Sequence, residues 1–213
     1  MLIEEIMNQD VATLYPTQTL REAAATLREK KIRHIAVINE QRKVVGVITD
    51  RDIKQATPSN LLESDDYSVL DTPIERIMTK NPITGHPLDF VEETATIFYD
   101  NRIGCLPIVS KGKLVGMITE SDMLYKFIEL TGVTQPGSQI EIRVPNKSGV
   151  LYEVSKVFYQ HKVNVLSVLV YPDKKDETYK VLVIRVKTIN PLKLVSALEK
   201  EGFDVLWPSQ PTL

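Results

Sequence analysis

The sequence predicts an α+β protein in which two copies of one unit pack as a pseudo-two-fold pair and a βαββαβ domain follows. Three observations support this prediction. Residues 3–13, IEEIMNQDVAT, recur as IERIMTKNPIT at 74–84. The pattern Gly-x-x-Thr-x-x-Asp occurs at 46–52 and again at 116–122, which indicates an internal repeat. A break rich in Gly, Pro and Ser at 131–138 then separates a segment with a different residue pattern.

The composition is that of an ordinary globular protein and excludes several classes. Of the 213 residues, 43% are hydrophobic and 25% are charged, and the formal net charge is −2. This charge argues against a nucleic-acid-binding protein with a broad basic face. No run approaches the roughly 18 apolar residues of a membrane span, and acidic residues near the start argue against a secretory signal. We expect a cytoplasmic protein, whose single cysteine, Cys105, excludes an internal disulfide and a cysteine zinc site.

The first half of each repeat predicts a short extended lead followed by an amphipathic helix. In the first copy Thr19 and Glu22 have the spacing of a capping box. In the second copy we expect Asp89 and Glu92 to cap the helix. Apolar residues at helical spacing predict which face packs inward. They are Leu20, Ala23, Ala24 and Leu27 in the first helix and Val91, Ala95 and Phe98 in the second.

The second half of each repeat predicts two strands and a second helix. HIAVI at 34–38 and KVVGVIT at 43–49 are β-branched runs joined by a polar turn, and CLPIV at 105–109 and KLVGMIT at 113–119 repeat them. The final aspartate of the repeated motif then opens a helix. A unit of roughly 55 residues buries little core by itself, so we expect the two copies to pack together.

The third segment predicts four strands and two helices in the order βαββαβ, which is that of ferredoxin-like domains, with both helices on one face of an antiparallel sheet. The predicted strands are QIEIRV at 139–144, KVNVLSVLVYP at 162–172, ETYKVLVIRVK at 177–187 and FDVLWP at 203–208. The first helix shows an apolar stripe of Val150, Leu151, Val154, Val157 and Phe158. For the second we expect Asn190 as N-cap, Pro191 at the first helical position and Gly202 as the stop.

These patterns set the predicted domain boundaries. We expect the first repeat at 1–57, a linker at 58–72, the second repeat at 73–130, a second linker at 131–138 and the third domain at 139–213. The acidic pair Asp65 and Asp66 is interpreted as solvated linker and not as a metal site.

The sequence resembles known families. Residues 1–129 resemble a tandem pair of CBS domains, a Bateman module, through the two IM…T leads, the paired strands and the duplicated Gly-x-x-Thr-x-x-Asp. Residues 139–208 resemble an ACT domain through RVPNKSGVLYEVSKVF and the following VNV. The order, the length and ITDRDIKQATPS are similar to the acetoin utilisation family of regulatory proteins. That similarity implies a role in acetoin or acetate metabolism and a partner enzyme there.

The repeated motif predicts a nucleotide site. Asp52 and Asp122 follow a strand at a helix start, where a carboxylate can accept hydrogen bonds from vicinal ribose hydroxyls. Thr49 and Thr119 can donate to a ribose or phosphate oxygen, and a helix start favours an anion. The CBS resemblance implies AMP, ADP, ATP or S-adenosylmethionine as effector. It places the adenine among groups of Val11, Thr13, Ile35 and Ala36, or Pro82, Thr84, Leu106 and Pro107. The same Thr-x-x-Asp pattern is also typical of a plain helix cap without a ligand.

The two copies differ in charge around this motif. The first has Arg33, His34 and Arg51, and the second has Gly104, Cys105 and Ser121 at the matching positions. Because a buried anion requires paired cations, we predict that the basic residues serve the phosphates. Two alternatives stay open: these residues reach the neighbouring site, or one site is empty or prefers a nucleoside. His34 alone is also interpreted as a structural hydrogen-bonding residue, and Cys105 as a small buried residue.

The ACT resemblance implies an amino-acid site between two copies of that domain. Its residues would be Asn146, Ser148, Gly149, Val150, Leu151 and Asn164. Asn146 stands where the family usually has an aspartate, so the carboxylate that would meet an amino group is missing. We therefore favour a purely dimerising ACT domain.

No catalytic motif is present: the sequence lacks Gly-x-x-x-x-Gly-Lys, His-Glu-x-x-His and Gly-x-Ser-x-Gly, and its histidines, His34, His86 and His161, lie in separate elements. We predict a non-catalytic, homodimeric regulator that senses an adenine nucleotide, with no catalytic cofactor, metal, nucleic-acid or membrane partner. The alternatives are a ligand-free dimerising adaptor that docks a partner enzyme, and an amino-acid sensor that acts through the ACT domain.

Overall fold

The chain divides into two compact units. A computed structural model describes residues 1–57 and 68–208. The first unit is Met1–Leu124 and the second is Tyr125–Leu213, so the division falls inside one helix. The linker acids Asp65 and Asp66 lie outside the described residues. The domain boundaries that we expect from the sequence stay proposals.

The first unit contains the predicted strand and helix order of each repeat, with one difference. Its elements are β1 Thr13–Leu14, α1 Leu20–Lys30, β2 His34–Ile38, β3 Val44–Thr49, α2 Asp50–Ala56, β4 Thr79–Lys80, α3 Val91–Asn101, β5 Cys105–Ser110, β6 Lys113–Thr119 and α4 Glu120–Leu130, whose last two turns belong to the second unit. β1 pairs in parallel with β2, which pairs antiparallel with β3. In the second repeat the residue after the lead, Gly85, makes only an isolated bridge with Ile108.

The N-terminal cap predicted from local sequence is present in α1 but not in α3. The capping box of α1 is confirmed, because the Thr19 hydroxyl accepts from the Glu22 N–H and the Glu22 carboxylate accepts from the Thr19 N–H at 2.7 Å. The cap predicted for α3 is wrong. Its N-cap is Phe90, and the Asp89 carboxylate instead accepts from the His86 N–H at 2.7 Å.

The inward faces of α1 and α3 follow the prediction except at one position. Leu20, Ala23 and Leu27 are buried in α1, as are Val91 and Phe98 in α3. Ala95 is exposed, and Thr94 takes the inward position with 1% of its surface accessible. Its hydroxyl donates to the Phe90 carbonyl at 2.9 Å, which satisfies the polar group at the first turn of the helix.

The lead of each repeat, residues 3–13 in the first copy and 74–84 in the second, packs into the core of the other repeat. Ile74, from the second lead, is fully buried in a cluster with Leu20 and Leu27 of the first copy. Ile3, from the first lead, is fully buried with Val91 and Phe98 of the second copy. The backbone shows the same exchange. β4 of the second lead pairs with β3 of the first repeat, and an isolated bridge joins Asn8 of the first lead to Met117 of the second repeat. The pair therefore forms one folding unit with pseudo-two-fold organisation.

The glycines of the repeated motif make this exchange possible. A Cβ added to Gly46 would overlap the thioether of Met78, which comes from the second lead. A Cβ added to Gly116 would lie 2.5 Å from the Sδ atom of Met7, which comes from the first lead. Each glycine thus gives the room in which a methionine of the opposite copy packs against the strand.

The second unit has the predicted βαββαβ order. Its elements are β7 Ser138–Pro145, α5 Val150–Gln160, β8 Val165–Pro172, β9 Tyr179–Val186, α6 Leu192–Lys200 and β10 Asp204–Trp207. The sheet order is β10-β7-β9-β8, with antiparallel neighbours throughout. Alternate residues of β7 and β9 form one core with both helices, so both helices lie on one face: Ile140, Ile142, Val144, Leu182, Ile184 and Val186 against Val154, Val157, Leu194 and Leu198.

Two details of the second unit differ from the prediction. α6 begins one residue later than expected, with Pro191 at the N-cap, while the Asn190 side chain accepts from the Leu192 N–H at 3.1 Å. Leu151 is 47% exposed, because it lies on the rim of the stripe formed by its neighbours. Gly202 ends α6 as predicted, with a φ of 87° that favours glycine.

Within residues 1–57 and 68–208, no helix is long and apolar enough to cross a lipid bilayer.

We expect Gly46→Ala and Gly116→Ala each to lower the free energy of unfolding by about 1–3 kcal/mol, because the added methyl group overpacks against a methionine. The measurement is urea unfolding, combined with a double-mutant cycle. Gly46→Ala should cost less in a Met78→Ala background than alone, since the overlapping side chain is then absent. Additive effects of the two substitutions would contradict this assignment.

Candidate functional site

A cleft of ≈ 1590 Å³ lies in the first unit and is lined by both repeats. The strand-to-helix junctions at 49–52 and 119–122 both open onto it. The C-terminal ends of α1 and α3 and parts of both leads complete its walls. The duplicated motif therefore brings two equivalent junctions, which are 70 residues apart in sequence (122 − 52 = 70), to a single surface depression.

The aspartates of the two motifs cap helices α2 and α4 with the same geometry. Oδ2 of Asp52 accepts from the Thr49 N–H and from the Thr49 hydroxyl, each at 2.8 Å. Oδ2 of Asp122 accepts from the Thr119 N–H at 2.8 Å and from its hydroxyl at 2.7 Å. Each threonine oxygen in turn accepts from the aspartate N–H. Both junctions are therefore complete capping boxes.

These caps leave one carboxylate oxygen of each aspartate available. Within the described part of the chain, Oδ1 of Asp52 and Oδ1 of Asp122 accept no hydrogen bond. The threonine hydroxyls donate to their own aspartates, so they have no second proton to donate to a ligand. The role that this geometry leaves to Thr49 and Thr119 is to orient the carboxylates, and the outward donation that we expected from them stays untested.

The cleft is asymmetric in charge. Outside the leads, the first copy contributes cations Lys30, Lys31, Arg33 and Arg51 with anions Asp50 and Asp52, and the second contributes cation Arg102 with anions Asp100, Glu120 and Asp122. None of these five cations is in a salt bridge within 4.0 Å among the described residues. Lys54 donates to Asp50 at 3.1 Å and lowers the pKa of that carboxyl. The side built by the first repeat is therefore the one suited to anionic groups.

His34 is wedged against the second repeat. A Cβ at Gly104 would lie 2.8 Å from Nε2 of His34, so the missing side chain admits the imidazole. Burial is the largest effect on His34 and lowers its pKa, although nearby Asp50 and other carboxylates oppose this. Cys105, which matches His34 in the second repeat, is buried, and burial raises the pKa of its thiol to about 12. The thiol therefore stays protonated at neutral pH.

The predicted site residues divide into two groups. The cleft is lined by Val11, Arg33, His34, Thr49, Arg51, Asp52, Pro82, Cys105, Thr119, Ser121 and Asp122. The other predicted residues do not line it: Thr13, Ile35, Ala36, Thr84, Leu106 and Pro107. The side chains of Ile35, Ala36 and Leu106 are fully buried, so only backbone groups of these residues remain for a base to contact.

Sequence reasoning missed the helix ends that line the cleft. Lys31 and Arg102 are the C-caps of α1 and α3, and each has a φ of 53°. They are related by the offset that also relates Met7 to Met78, so the repeat places a cation at the same position twice. This repeated cation is the feature of the sequence that could have predicted both helix ends as part of the cleft. Lys30 and Asn81 line the cleft without a comparable signal.

The loop expected to hold an amino acid lies on the surface of the second unit. Asn146, Ser148, Gly149, Leu151 and Asn164 are exposed, and Val150 is buried as part of the core. Gly149 is the N-cap of α5 with a φ of 83°, which favours glycine. Ligand binding at this loop stays a prediction.

Family models match most of the chain. The CBS domain model matches residues 3–59 and 74–129, and the ACT domain model matches residues 138–203.

Curated relatives match part of the chain. A CBS domain-containing protein of Dictyostelium discoideum is 30% identical over 143 residues, which are 65% of this chain and 99% of that protein. The CBS domain-containing protein YhcV of Bacillus subtilis is 30% identical over 57% of this chain and 81% of its own length. Homoserine O-acetyltransferase of Methanococcus vannielii is 31% identical, but the match spans only 24% of the acetyltransferase.

Two solved structures share the fold over part of the chain. A Vibrio cholerae protein assigned to acetoin utilization (AcuB) superposes with a TM-score of 0.55 at 28% identity, covering 63% of this chain and 96% of that one. The CBS domain pair of protein MJ0100 was solved in complex with 5′-methylthioadenosine and S-adenosyl-L-methionine. It gives a TM-score of 0.52 at 29% identity, with coverage of 60% of this chain and 95% of that one.

The lowered pKa of His34 predicts how acid affects stability. The unfolded chain binds a proton at His34 more readily than the folded chain does, so this residue destabilises the fold as the pH falls below about 6.5. We expect the stability of the native protein, relative to His34→Gln, to be highest above that pH and to decline below it. Calorimetric melting across the pH range measures this difference. His161→Gln, at an exposed histidine, is the control, and a pH-independent difference for His34→Gln would contradict the prediction.

Proposed function

Because the chain belongs to the CBS-domain family, with a tandem CBS pair followed by an ACT domain, we propose that it is a regulatory protein that senses an adenosine derivative in the cleft of its first unit. The observation that carries the proposal is the pair of aspartates, Asp52 and Asp122. Each is held rigidly through Oδ2, and each keeps Oδ1 available at a cleft wall.

A carboxylate with one fixed and one available oxygen is suited to a sugar diol. The capping box restrains the side chain before a ligand arrives, so binding requires little further loss of side-chain entropy. Two vicinal hydroxyls can then donate to the remaining acceptor capacity of the carboxylate. The apolar and backbone groups near Val11 and Pro82 supply the neighbouring surface for a base.

The class of ligand is supported by a relative. The CBS pair of MJ0100 contains two adenosine derivatives and is 29% identical to this chain. AMP, ADP, ATP and S-adenosylmethionine are the candidates for this chain. The charge asymmetry further suggests that phosphates lie toward Arg33 and Arg51, and that a nucleoside or sulfonium compound suits the side of Glu120 and Asp122.

Regulation follows if the ligand binds two arrangements of the unit unequally. The cleft is lined by both repeats, so a ligand that contacts both changes the free energy of their relative packing. The chain itself is proposed to catalyse nothing. The match to a quarter of the acetyltransferase, 24% of its length, is what an accessory module would give. The similarity to the AcuB protein supports a partner enzyme in acetoin or acetate metabolism.

We expect Asp52→Asn and Asp122→Asn to weaken adenosine-ligand binding by about tenfold or more at the altered site, because each removes a charged hydrogen-bond acceptor. Isothermal titration with AMP, ATP, 5′-methylthioadenosine and S-adenosylmethionine is the measurement. Glu22→Gln is the matched control, because Glu22 has the same capping role in α1 but does not line the cleft.

The control separates capping from binding. All three variants lose a charged cap and should lose similar stability, but only the two aspartate variants should lose affinity. If the parent protein shows no saturable binding of any compound, the sensor proposal is wrong. Unchanged affinity in both aspartate variants would remove the assignment of the ribose site.

A second candidate is a dimerising adaptor, and the edge strand β8 favours it. β8 has eight residues and pairs only with β9 among the described strands. Val168, Leu169, Val170 and Tyr171 are 39–53% exposed on its two faces. An apolar edge with free backbone groups is a surface for pairing with another strand. A β8 strand from a second copy of the chain would pair with the free backbone groups of this edge and bury its apolar side chains.

We expect Val170→Lys to shift the protein from dimer to monomer, because a charge is placed beside the proposed strand pair. Light scattering coupled to gel filtration measures the mass, and Tyr159→Lys on the exposed side of α5 is the control. A native protein that remains monomeric at high concentration would contradict the adaptor candidate.

A further inference from the structure

The second unit contains a pocket on the face of its sheet opposite α5 and α6. Its floor is formed by Gln139, Arg185, Ser167, Leu169 and Val183 of three adjacent strands. Gln139 and Ser167 are the register partners of Arg185 on either side, so these three polar residues form one row across the sheet. The pocket has a volume of ≈ 280 Å³. The end of α4 and the segment after it cover the side opposite the sheet, through Phe127, Ile128, Thr131 and Val133.

The segment that covers the pocket is held in place by specific contacts. The Ser167 hydroxyl donates to the Thr131 carbonyl at 2.8 Å. Gly132 has a φ of 66°, and a Cβ there would lie 3.3 Å from Leu166. The Thr131 hydroxyl donates to the Ile128 carbonyl at 2.7 Å. The cover is therefore built against the sheet, and both hydroxyl protons are already used.

Among the residues that the structure describes, Arg185 is the only charged one that lines this pocket, and its hydrogen bonding is incomplete. One terminal nitrogen donates to the carbonyls of Gln135 and Val133 at 3.3 and 3.4 Å, which are long for such bonds. Its Nε atom is buried and has no hydrogen-bond partner within 1–57 and 68–208. A guanidinium carries five N–H donors, so most of its capacity toward an anion is unused.

The carboxylates nearest to the pocket in sequence and register already have partners, and one of them is bound to a residue of the pocket floor. Glu129, on the last turn of α4, accepts from Lys126 at 2.6 Å. Glu141, two residues from Gln139 on β7, accepts from the Gln139 amide at 2.8 Å. No carboxylate of the described residues lies within 4.0 Å of Arg185. Arg185 as a whole is partly exposed, but its buried Nε–H group has no partner among the described residues, and an anionic ligand that accepted its hydrogen bond would remove the cost of leaving that group unsatisfied.

We infer that this pocket binds a small aliphatic monocarboxylate, whose carboxylate pairs with Arg185 and whose apolar chain packs against Leu169, Val183 and Ile128. The volume lies just below the usual range of about 300–1,000 Å³, which selects a ligand of few atoms. An amino acid is disfavoured, because among the described residues no acidic side chain lines the pocket to pair with an ammonium group, and the neighbouring Glu141 already accepts from Gln139. This site is independent of the adenosine proposal, since all of its residues belong to the second unit.

Three probes with the same branched chain test the head group: isovalerate, 3-methylbutanol and 3-methylbutylamine. We expect saturable binding of isovalerate to the full chain in ligand-observed NMR and a rise in melting temperature. The alcohol and the amine should bind about tenfold more weakly or worse, because neither can form a charged hydrogen-bonded pair with a guanidinium. Equal binding of the three probes, or no binding of isovalerate, would overturn the inference.

Variants assign the site within the chain. Arg185→Met removes the charge and Val183→Phe fills the pocket, and each should abolish isovalerate binding. Arg143→Met is the control, because Arg143 is already paired with Asp173 at 2.7 Å. If Arg185 served only to hold the covering segment, Arg185→Met would lower the melting temperature and Val183→Phe would leave isovalerate binding intact. A binding site instead predicts that Arg185→Met melts at or above the temperature of the ligand-free parent.

Discussion

The exchange of leads between the two repeats is the constraint on which the first unit depends. Ile3 and Ile74 are fully buried in the core of the opposite copy, so neither repeat can complete its core alone. Methionine suits the crossing point, because its flexible chain fills the irregular space above a glycine. The exchange also brings the two strand-to-helix junctions to one cleft. The glycine of the repeated motif thus serves packing, and the aspartate six residues later caps a helix at the wall of the cleft.

Capping and ligand binding are compatible roles for the same carboxylate. Oδ2 of each motif aspartate closes a capping box, and Oδ1 keeps its acceptor capacity. A cap is worth about 1 kcal/mol to the helix, and it also fixes the side chain in one orientation. The two copies have kept this geometry while their surroundings have become different, with Arg33 and Arg51 on one side and Gly104 and Ser121 on the other. The two repeats therefore present two similarly capped carboxylates in unlike electrostatic surroundings.

The two faces of the sheet in the second unit differ in composition. One face is covered by α5 and α6 and forms a continuous apolar core. The opposite face carries polar and charged residues in register, among them Gln139, Arg185 and Ser167. A strand alternates between faces with a period of two, so the same run VLVIRV supplies both the core and the polar row. Among the described residues, this arrangement leaves the buried Nε atom of Arg185 without a hydrogen-bond partner.

Local sequence determined the order and type of the elements, because hydrophobic period, caps and turn residues act over three or four positions. Thr19 with Glu22 is such a case, and so are the βαββαβ order and both Thr-x-x-Asp junctions. Local reasoning failed at Asp89, where the nearby His86 N–H competed for the same carboxylate. Only the tertiary structure decided the exchange of leads, the contact of His34 with Gly104, the basic helix ends beside the cleft and the unpaired Nε of Arg185. Each of these depends on residues distant in sequence, whose meeting is set by packing of the whole unit and not by any local preference.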